Sequence, residues 1–269
     1  MNGPQEKSSE WSEQWQIFKD NERFLFFDWI QPASIDDFRS KDVLECGCGG
    51  GHHTAIIAET AKNVTAVDLN TAELARQRCS NFDNVGFIEA DLNTMDLGRE
   101  FDVVICIGVI HHTDSPDQVF RNLYKHLRPG GKLIIWTYSA EGNALVRFAV
   151  EPIRKLFLRH LSRPALVTVS KILTTLVYLP VYSVYCISWM KWLPYYDYFK
   201  NFRRLSFDRN VLNVFDKLNA PQTRFTTRET CENWMSGSRF EEGSISIKSY
   251  LNVSWTLVGS KKFVVSAKV

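Results

Sequence analysis

Three observations predict a doubly wound α/β fold. Short apolar runs with little alternation recur at 43–46, 64–67, 85–88, 103–107 and 132–137. Helix-compatible stretches around 53–61, 71–80 and 115–127 separate most of them. The first run empties into a glycine-rich turn, as a strand does where a ligand approaches bare backbone. Strands buried on both faces lose their alternation, and parallel neighbours need a crossover helix. The expected sheet is therefore mostly parallel, with helices on both faces.

Each segment then finds its place. Residues 11–30 set Trp11, Trp15, Phe18 and Phe26 among charges at helical spacing, which predicts one or two amphipathic helices. Residues 140–215 show no strand alternation but many aromatics and arginines. Beyond Pro221 a helix is expected over 227–236, then two β-rich runs at 244–250 and 253–260 joined by a short polar link. These two fit an antiparallel pair closing the sheet. The division read from this rhythm is an N-terminal helical cap (1–40), an α/β core (41–139), a helical lid or insertion (140–215) and a C-terminal completion of the sheet (216–269).

Composition narrows the function. With 269 residues, 45% of them apolar, the chain can bury one good-sized core. A net charge of +2 argues against a nucleic-acid binder working by bulk electrostatics. The average hides an asymmetry: residues 140–210 carry 11 Lys/Arg against 4 Asp/Glu, a local +7 that leaves the remainder at −5. The six cysteines form no C-x-x-C pair, so no metal site is expected, and free thiols in a reducing cytoplasm are the simplest reading. The polar, acidic N-terminus predicts no signal peptide.

Five signals carry chemistry. The first is Val43-Leu44-Glu45-Cys46-Gly47-Cys48-Gly49-Gly50-Gly51-His52: a strand, an acid and alternate glycines before a helix whose N-terminal amides suit an anionic group. His52 stands where the dinucleotide fingerprint needs its third glycine, which disfavours a nicotinamide-dependent oxidoreductase. The second is Asp68-Leu69 at the end of the 64–67 run, 23 residues after Glu45; an acid there can accept both hydroxyls of a ribose, or cap the next helix. The third is Asp91-Leu92, an acid and an apolar face suited to an adenine, or a solvated loop. The fourth is Phe101-Asp102-Val103-Val104-Ile105-Cys106-Ile107-Gly108-Val109-Ile110-His111-His112, and the fifth Leu127-Arg128-Pro129-Gly130-Gly131-Lys132-Leu133, a helix end and turn before a strand.

Their order and spacing over about 95 residues resemble the class I S-adenosylmethionine-dependent methyltransferases, in particular the ubiquinone/menaquinone-biosynthesis-like small-molecule branch. The resemblance is strong over 43–138. It extends loosely to Gln14-Trp15-x-x-Phe18 and to Phe215-Asp216, Ala220-Pro221, Trp234 and Phe240. It implies a Rossmann-like seven-stranded core and S-adenosylmethionine as cofactor. Glu45, Gly47, Cys48, Gly49 and Gly51 would form the methionine-side loop. Asp68 and Leu69 would meet the ribose, Asp91 and Leu92 the adenine, and Ile107 would lie beside the sulfonium. Family members often follow the glycines with Arg or a small residue, whereas this chain has His52-His53.

The implied reaction is methyl transfer by in-line displacement to a small acceptor; a binder that has lost turnover would share the same acids. His111, His112 and Tyr138 are the candidates for proton transfer or acceptor orientation. Against those roles stand a loop cap for His112 and an ordinary half-buried tyrosine. Ile172 opens a run of 19 residues without a charge, 172–190, interrupted by Pro180. A buried lid helix pair is preferred to a membrane span. Flanking it are Arg147, Arg154, Lys155, Arg159, Arg163, Lys171, Lys191 and Lys200. They fit either a solvated helix face or peripheral membrane contact through 147–200 by an enzyme with a hydrophobic, amphipathic or lipid-linked acceptor.

Overall fold

The computed structural model describes residues 13–15, 17 and 23–263; Trp11, Phe18 and the side chain of Arg159 lie outside the described residues. Seven strands form one sheet: β1 (Asp42–Cys46), β2 (Asn63–Asp68), β3 (Val85–Glu89), β4 (Phe101–Ile107), β5 (Leu127–Tyr138), β6 (Ser246–Tyr250) and β7 (Ser254–Ser260). Their order is β3-β2-β1-β4-β5-β7-β6. The first five run parallel, and β7 pairs antiparallel with β5 from Lys132↔Ser260 to Tyr138↔Ser254. The chain winds outward from β1 in both directions, so β1 and β4 flank the switch point where ligands lodge in open α/β sheets.

Nine α-helices follow in order among the described residues: α1 (Arg23–Ile30), α2 (His52–Ala58), α3 (Ala72–Arg78), α4 (Pro116–Lys125), α5 (Glu151–Leu156), α6 (Arg163–Val181), α7 (Tyr196–Phe202), α8 (Phe207–Asn219) and α9 (Arg228–Trp234). Strand residues alternate between the two faces of the sheet. Leu44, Cys46, Val104, Cys106, Leu133 and Ile135 pack with Val119, Phe120 and Leu123 of α4 and Trp234 of α9. Val43, Val103, Ile105, Ile134 and Trp136 pack on the other side with Phe26 and Ile30 of α1 and Ile56 and Ile57 of α2. Both sets are buried, which is why the sequence shows apolar runs instead of alternation.

The structure departs from the sequence reading at two places. The Arg128-Pro129-Gly130-Gly131 segment is an irregularity inside β5, not a turn before it. The register against β4 slips between Phe101↔Leu127 and Val103↔Lys132, and Arg128 Nη1 donates to Asp102 Oδ1 at 2.7 Å. The expected antiparallel pair does form, and its link is a tight hairpin whose central residues Leu251 and Asn252 both have positive φ, +52° and +59°, the geometry of a type I′ turn. The second departure is the 172–190 run, which is not a buried helix pair. One helix, α6, starts earlier and ends at Val181, with Pro180 confined to its last turn, and much of its surface is uncovered. It packs on α8 through Leu166, Val211, Leu212, Phe215 and Leu218.

All six cysteines are free, and only Cys186 is exposed. Burial pushes the thiol pKa of Cys79 up to about 11 and those of Cys106 and Cys231 up to about 12.

The packing predicts unequal costs for truncation. Ile105→Ala, at the centre of the sheet, should destabilise by ~2–5 kcal/mol. Leu176→Ala, on the uncovered side of α6, should stay within ~0.5 kcal/mol. Urea unfolding followed by tryptophan fluorescence compares them.

Candidate functional site

At the carboxyl ends of β1, β2 and β4 lies a cavity of about 710 Å³. Its first wall is the glycine loop. Gly47 and Cys48 donate their amides to the Val67 carbonyl, at 2.7 and 3.1 Å, so the loop continues the β1–β2 ladder before turning away. Gly49 N–H then donates to Asp68 Oδ2 at 2.9 Å, fixing the loop to the end of β2. Gly47 has φ +83°, and a Cβ there would stand 2.3 Å from the Val109 side chain. Gly51 serves a different purpose. At φ +78° its Cβ would meet the Ala75 backbone at 2.9 Å, so it lets α2 and α3 approach closely.

Among the residues singled out in the sequence, Gly47, Cys48, Gly49, Asp68, Leu69, Asp91, Leu92, Ile107, His112 and Tyr138 all line this cavity. The N-cap alternative for Asp68 is not what forms: Thr71 occupies the N-cap position of α3, without a side-chain cap bond, and Asp68 accepts from Gly49 and, at 3.4 Å, from Asn70 N–H. Asp91 folds its own loop: Oδ1 accepts from the backbone and side-chain nitrogens of Asn93, both at 2.8 Å.

Glu45, Gly51 and His111 do not line the cavity. Glu45 is one layer behind the loop, accepting from Thr54 Oγ1 at 2.5 Å. Burial pushes its carboxyl pKa up to about 8; Asp68 adds to the rise and the Thr54 bond opposes it. His111 is fully buried behind Tyr138, its Nδ1 3.2 Å from Thr137 Oγ1. Its Nε2 has no hydrogen-bond partner among the described residues. Burial drives its pKa well below the ordinary histidine value, aided by His112.

His112 faces the cavity. The Gln222 carbonyl sits 2.9 Å from its Nδ1. A carbonyl can only accept, so Nδ1 carries the proton and Nε2 is the basic nitrogen. Burial lowers the pKa of His112, with Asp216 pulling the other way. The Gln222 side chain returns to the same loop, donating to the His112 carbonyl at 3.2 Å and to Asp114 Oδ1 at 2.8 Å.

Among the lining residues, Trp29, Trp136, Arg209, Leu212 and Asn213 had no signal in the sequence, whereas Gln14, Trp15 and Asp216 lie in the looser part of the resemblance. Trp29 of α1 and Trp136 of β5 meet with ring centroids 4.7 Å apart, and Tyr138 lies 5.4 Å from Trp136. Together they make an aromatic floor. Arg209, Leu212, Asn213 and Asp216 of α8 form its far wall. Tyr138 Oη donates to Asp216 Oδ2 at 2.8 Å, and burial beside that carboxylate raises the phenol pKa well above its ordinary value. Gln14 and Trp15 reach over the glycine loop from the N-terminal side, Trp15 with its ring centroid 5.2 Å from that of His52. Helical periodicity alone could hint at buried faces on these segments, but not at which sheet edge they would cover.

Residues 44–135 match a family described as a methyltransferase domain, a span of about a third of the chain. The ubiquinone biosynthesis O-methyltransferase of Rickettsia conorii is 30% identical over 114 residues, 41% of this chain and 39% of that protein. Its counterpart in Pseudomonas aeruginosa is 32% identical over 131 residues, 47% of this chain and 55% of that protein. The chain thus spans about half or less of these curated relatives. Among solved structures, N-methyltransferase NodS of Bradyrhizobium japonicum, crystallised with S-adenosyl-L-homocysteine, superposes with a TM-score of 0.51 at 11% identity, covering 95% of this chain and 98% of that one. Magnesium protoporphyrin IX methyltransferase of Synechocystis, also with S-adenosylhomocysteine bound, gives 0.53 at 13% identity, covering 95% and 96%.

The seven-stranded sheet and the helices around it match the Rossmann-like methyltransferase fold. Over residues 44–135 the chain is similar to the methyltransferase domain family, and over less than half of its length to ubiquinone biosynthesis O-methyltransferases.

The state of Glu45 has a measurable consequence. A carboxyl whose folded pKa, about 8, exceeds its unfolded value loses stability as pH rises between the two. Glu45→Gln removes that loss. In thermal unfolding its melting temperature relative to wild type should therefore rise by at least ~3 °C between about pH 5 and pH 9.

Proposed function

We propose that the protein transfers a methyl group from S-adenosylmethionine to a small hydrophobic or amphipathic acceptor. The observation that carries this reading is the continuity of one cavity from the glycine loop, Asp68 and Asp91 to the Trp29–Trp136–Tyr138 floor. One end offers carboxylates and bare backbone, as a nucleoside with an amino-acid tail requires. The other offers aromatic surface for an acceptor.

The loop from Gly47 to Gly51 would hold the methionine end, with Glu45 supporting it from behind. Asp68 and Leu69 would hold the ribose, Asp91 and Leu92 the adenine, and Ile107 would pack beside the sulfur. Cys48 contributes a buried wall to the same loop. When bound, S-adenosylmethionine supplies a methyl group already activated on a positively charged sulfur. What the chain adds is alignment of the acceptor's nucleophilic atom for in-line displacement, an effect worth up to ~7–11 kcal/mol in favourable systems. Where the acceptor must lose a proton, His112 Nε2 takes it, since that nitrogen is unprotonated at neutral pH. Tyr138, whose hydroxyl hydrogen is donated to Asp216, presents its oxygen as a hydrogen-bond acceptor that orients the methyl acceptor. His111, buried behind them, has a positioning role through Thr137. The free thiols support a reducing compartment such as the cytoplasm.

Incubating the protein with host extract and isotopically labelled methyl donor, followed by untargeted mass spectrometry, should reveal one labelled product together with released S-adenosylhomocysteine. Donor binding without release would defeat the catalytic reading. By calorimetry, Asp68→Ala should weaken S-adenosylmethionine binding at least ~tenfold and Asp114→Ala less than ~threefold; equal losses would defeat the ribose assignment. With the product in hand, the lowered pKa of His112 predicts that turnover stays level as pH falls through 6.5, its ordinary value, and declines only below it. His112→Ala should abolish that acidic limb.

A further inference from the structure

Helix α6 is inside out. Its buried stripe, Leu166, Ser170, Thr174 and Val181, is half hydroxyl-bearing. Its outer face carries Ile172, Leu176 and Leu179 at i, i+4 and i+7, all exposed, Leu179 at 70%. A water-facing helix has the opposite arrangement. The turns that follow continue the exposure, with Trp189 at 71% and Trp192 at 72%.

Four of the hydroxyls on this surface are already satisfied from within. Thr168 and Thr175 donate to the carbonyls of Pro164 and Lys171, at 2.9 Å each, and Ser183 to that of Leu179 at 2.5 Å. Tyr185 donates to the Pro194 carbonyl at 3.0 Å. These groups can leave water without losing a bond, which is the condition for entering an apolar medium. The charge favours one sign as well. Of the seven Lys/Arg in residues 142–196, Arg154 is buried and paired at 2.8 Å with Glu151, the single acid there, and Arg163 pairs with Glu13 at 3.0 Å; Arg147, Lys155, Lys171 and Lys191 are exposed.

We propose that the 145–192 surface docks on an anionic phospholipid bilayer, with the outer face of α6 and Trp189 and Trp192 set into the headgroup region. Exposed tryptophans with apolar and basic neighbours are the chemistry of that interface. A second copy docking by the same face would bring two basic surfaces together. A span through the bilayer would pull α6 from α8, to which it is tied by its apolar cluster and by Asn210 Nδ2 donating to Tyr178 Oη at 3.0 Å.

The docking also bears on the site, and in this respect it rests on the methyl-transfer reading. Leu212 of α8 belongs to the cluster that seats α6 and also lines the cavity. The cavity's far wall is thus one helix away from the membrane surface, and an acceptor of lipid character would reach it from there.

The test is co-sedimentation of the full chain with vesicles of phosphatidylglycerol and phosphatidylcholine, or of phosphatidylcholine alone. Wild type should bind the mixed vesicles at least ~tenfold more tightly, and about 0.5 M salt should erase most of the difference. The double variant Trp189→Ser/Trp192→Ser should lose at least ~tenfold on both vesicles. Lys171→Glu/Lys191→Glu should lose only the preference for the anionic lipid. All four side chains are exposed, so calorimetry with S-adenosylmethionine should give wild-type affinity for each variant. That control fails only if the cofactor reading or the fold fails. The docking proposal is overturned if wild type stays unbound, if the variants bind as wild type does, if the tryptophan variant merely dissolves a dimer, or if bound protein resists alkaline carbonate as a spanning helix would.

Discussion

The bond from Gly49 N–H to the Asp68 carboxylate is the constraint from which the site is organised. It joins the turn after β1 to the tip of β2, so that two parallel strands end in one rim. The same carboxylate is thereby held at the cavity edge without being consumed as a helix cap, since Thr71 takes that place. A glycine is required at 47 because Val109, just past β4, fills the space a side chain would occupy. Three strand ends are thus locked together by one hydrogen bond and one steric exclusion. The cavity is the room left between them.

Most of the core was legible because its physics is local. A strand covered on both faces shows itself as an unbroken apolar run, and four of the five parallel strands were found within two residues of their true ends; β5 was read as starting at 132 because Pro129-Gly130-Gly131 looks like a turn. The acids at 68 and 91 were legible because a residue at the carboxyl end of a parallel strand must face the ligand edge. His112 was legible for the same reason, but its neighbour was not separable from it. Adjacent residues leave a strand end in different directions, and only the fold shows that His111 turns inward behind Tyr138.

The floor and far wall were less legible because their residues reach the site through tertiary packing. Trp29, Trp136, Arg209 and Asp216 belong to three separate elements. Nothing in their spacing says that α1 and α8 converge over β5. The uncharged 172–190 run misled for a related reason: apolar composition implies burial only when the fold supplies a partner surface. Here α8 covers one stripe of α6 and leaves the more apolar stripe in the open.

The distribution of thiols has a practical corollary. Five of the six sulfurs are sealed inside the protein, where burial keeps them in the unreactive protonated form. The sixth, Cys186, stands in the open among the turns that end in the two exposed tryptophans. A maleimide dye added to the unaltered chain would therefore mark a single spot in the turns after α6, giving a spectroscopic reporter of that region without any engineering.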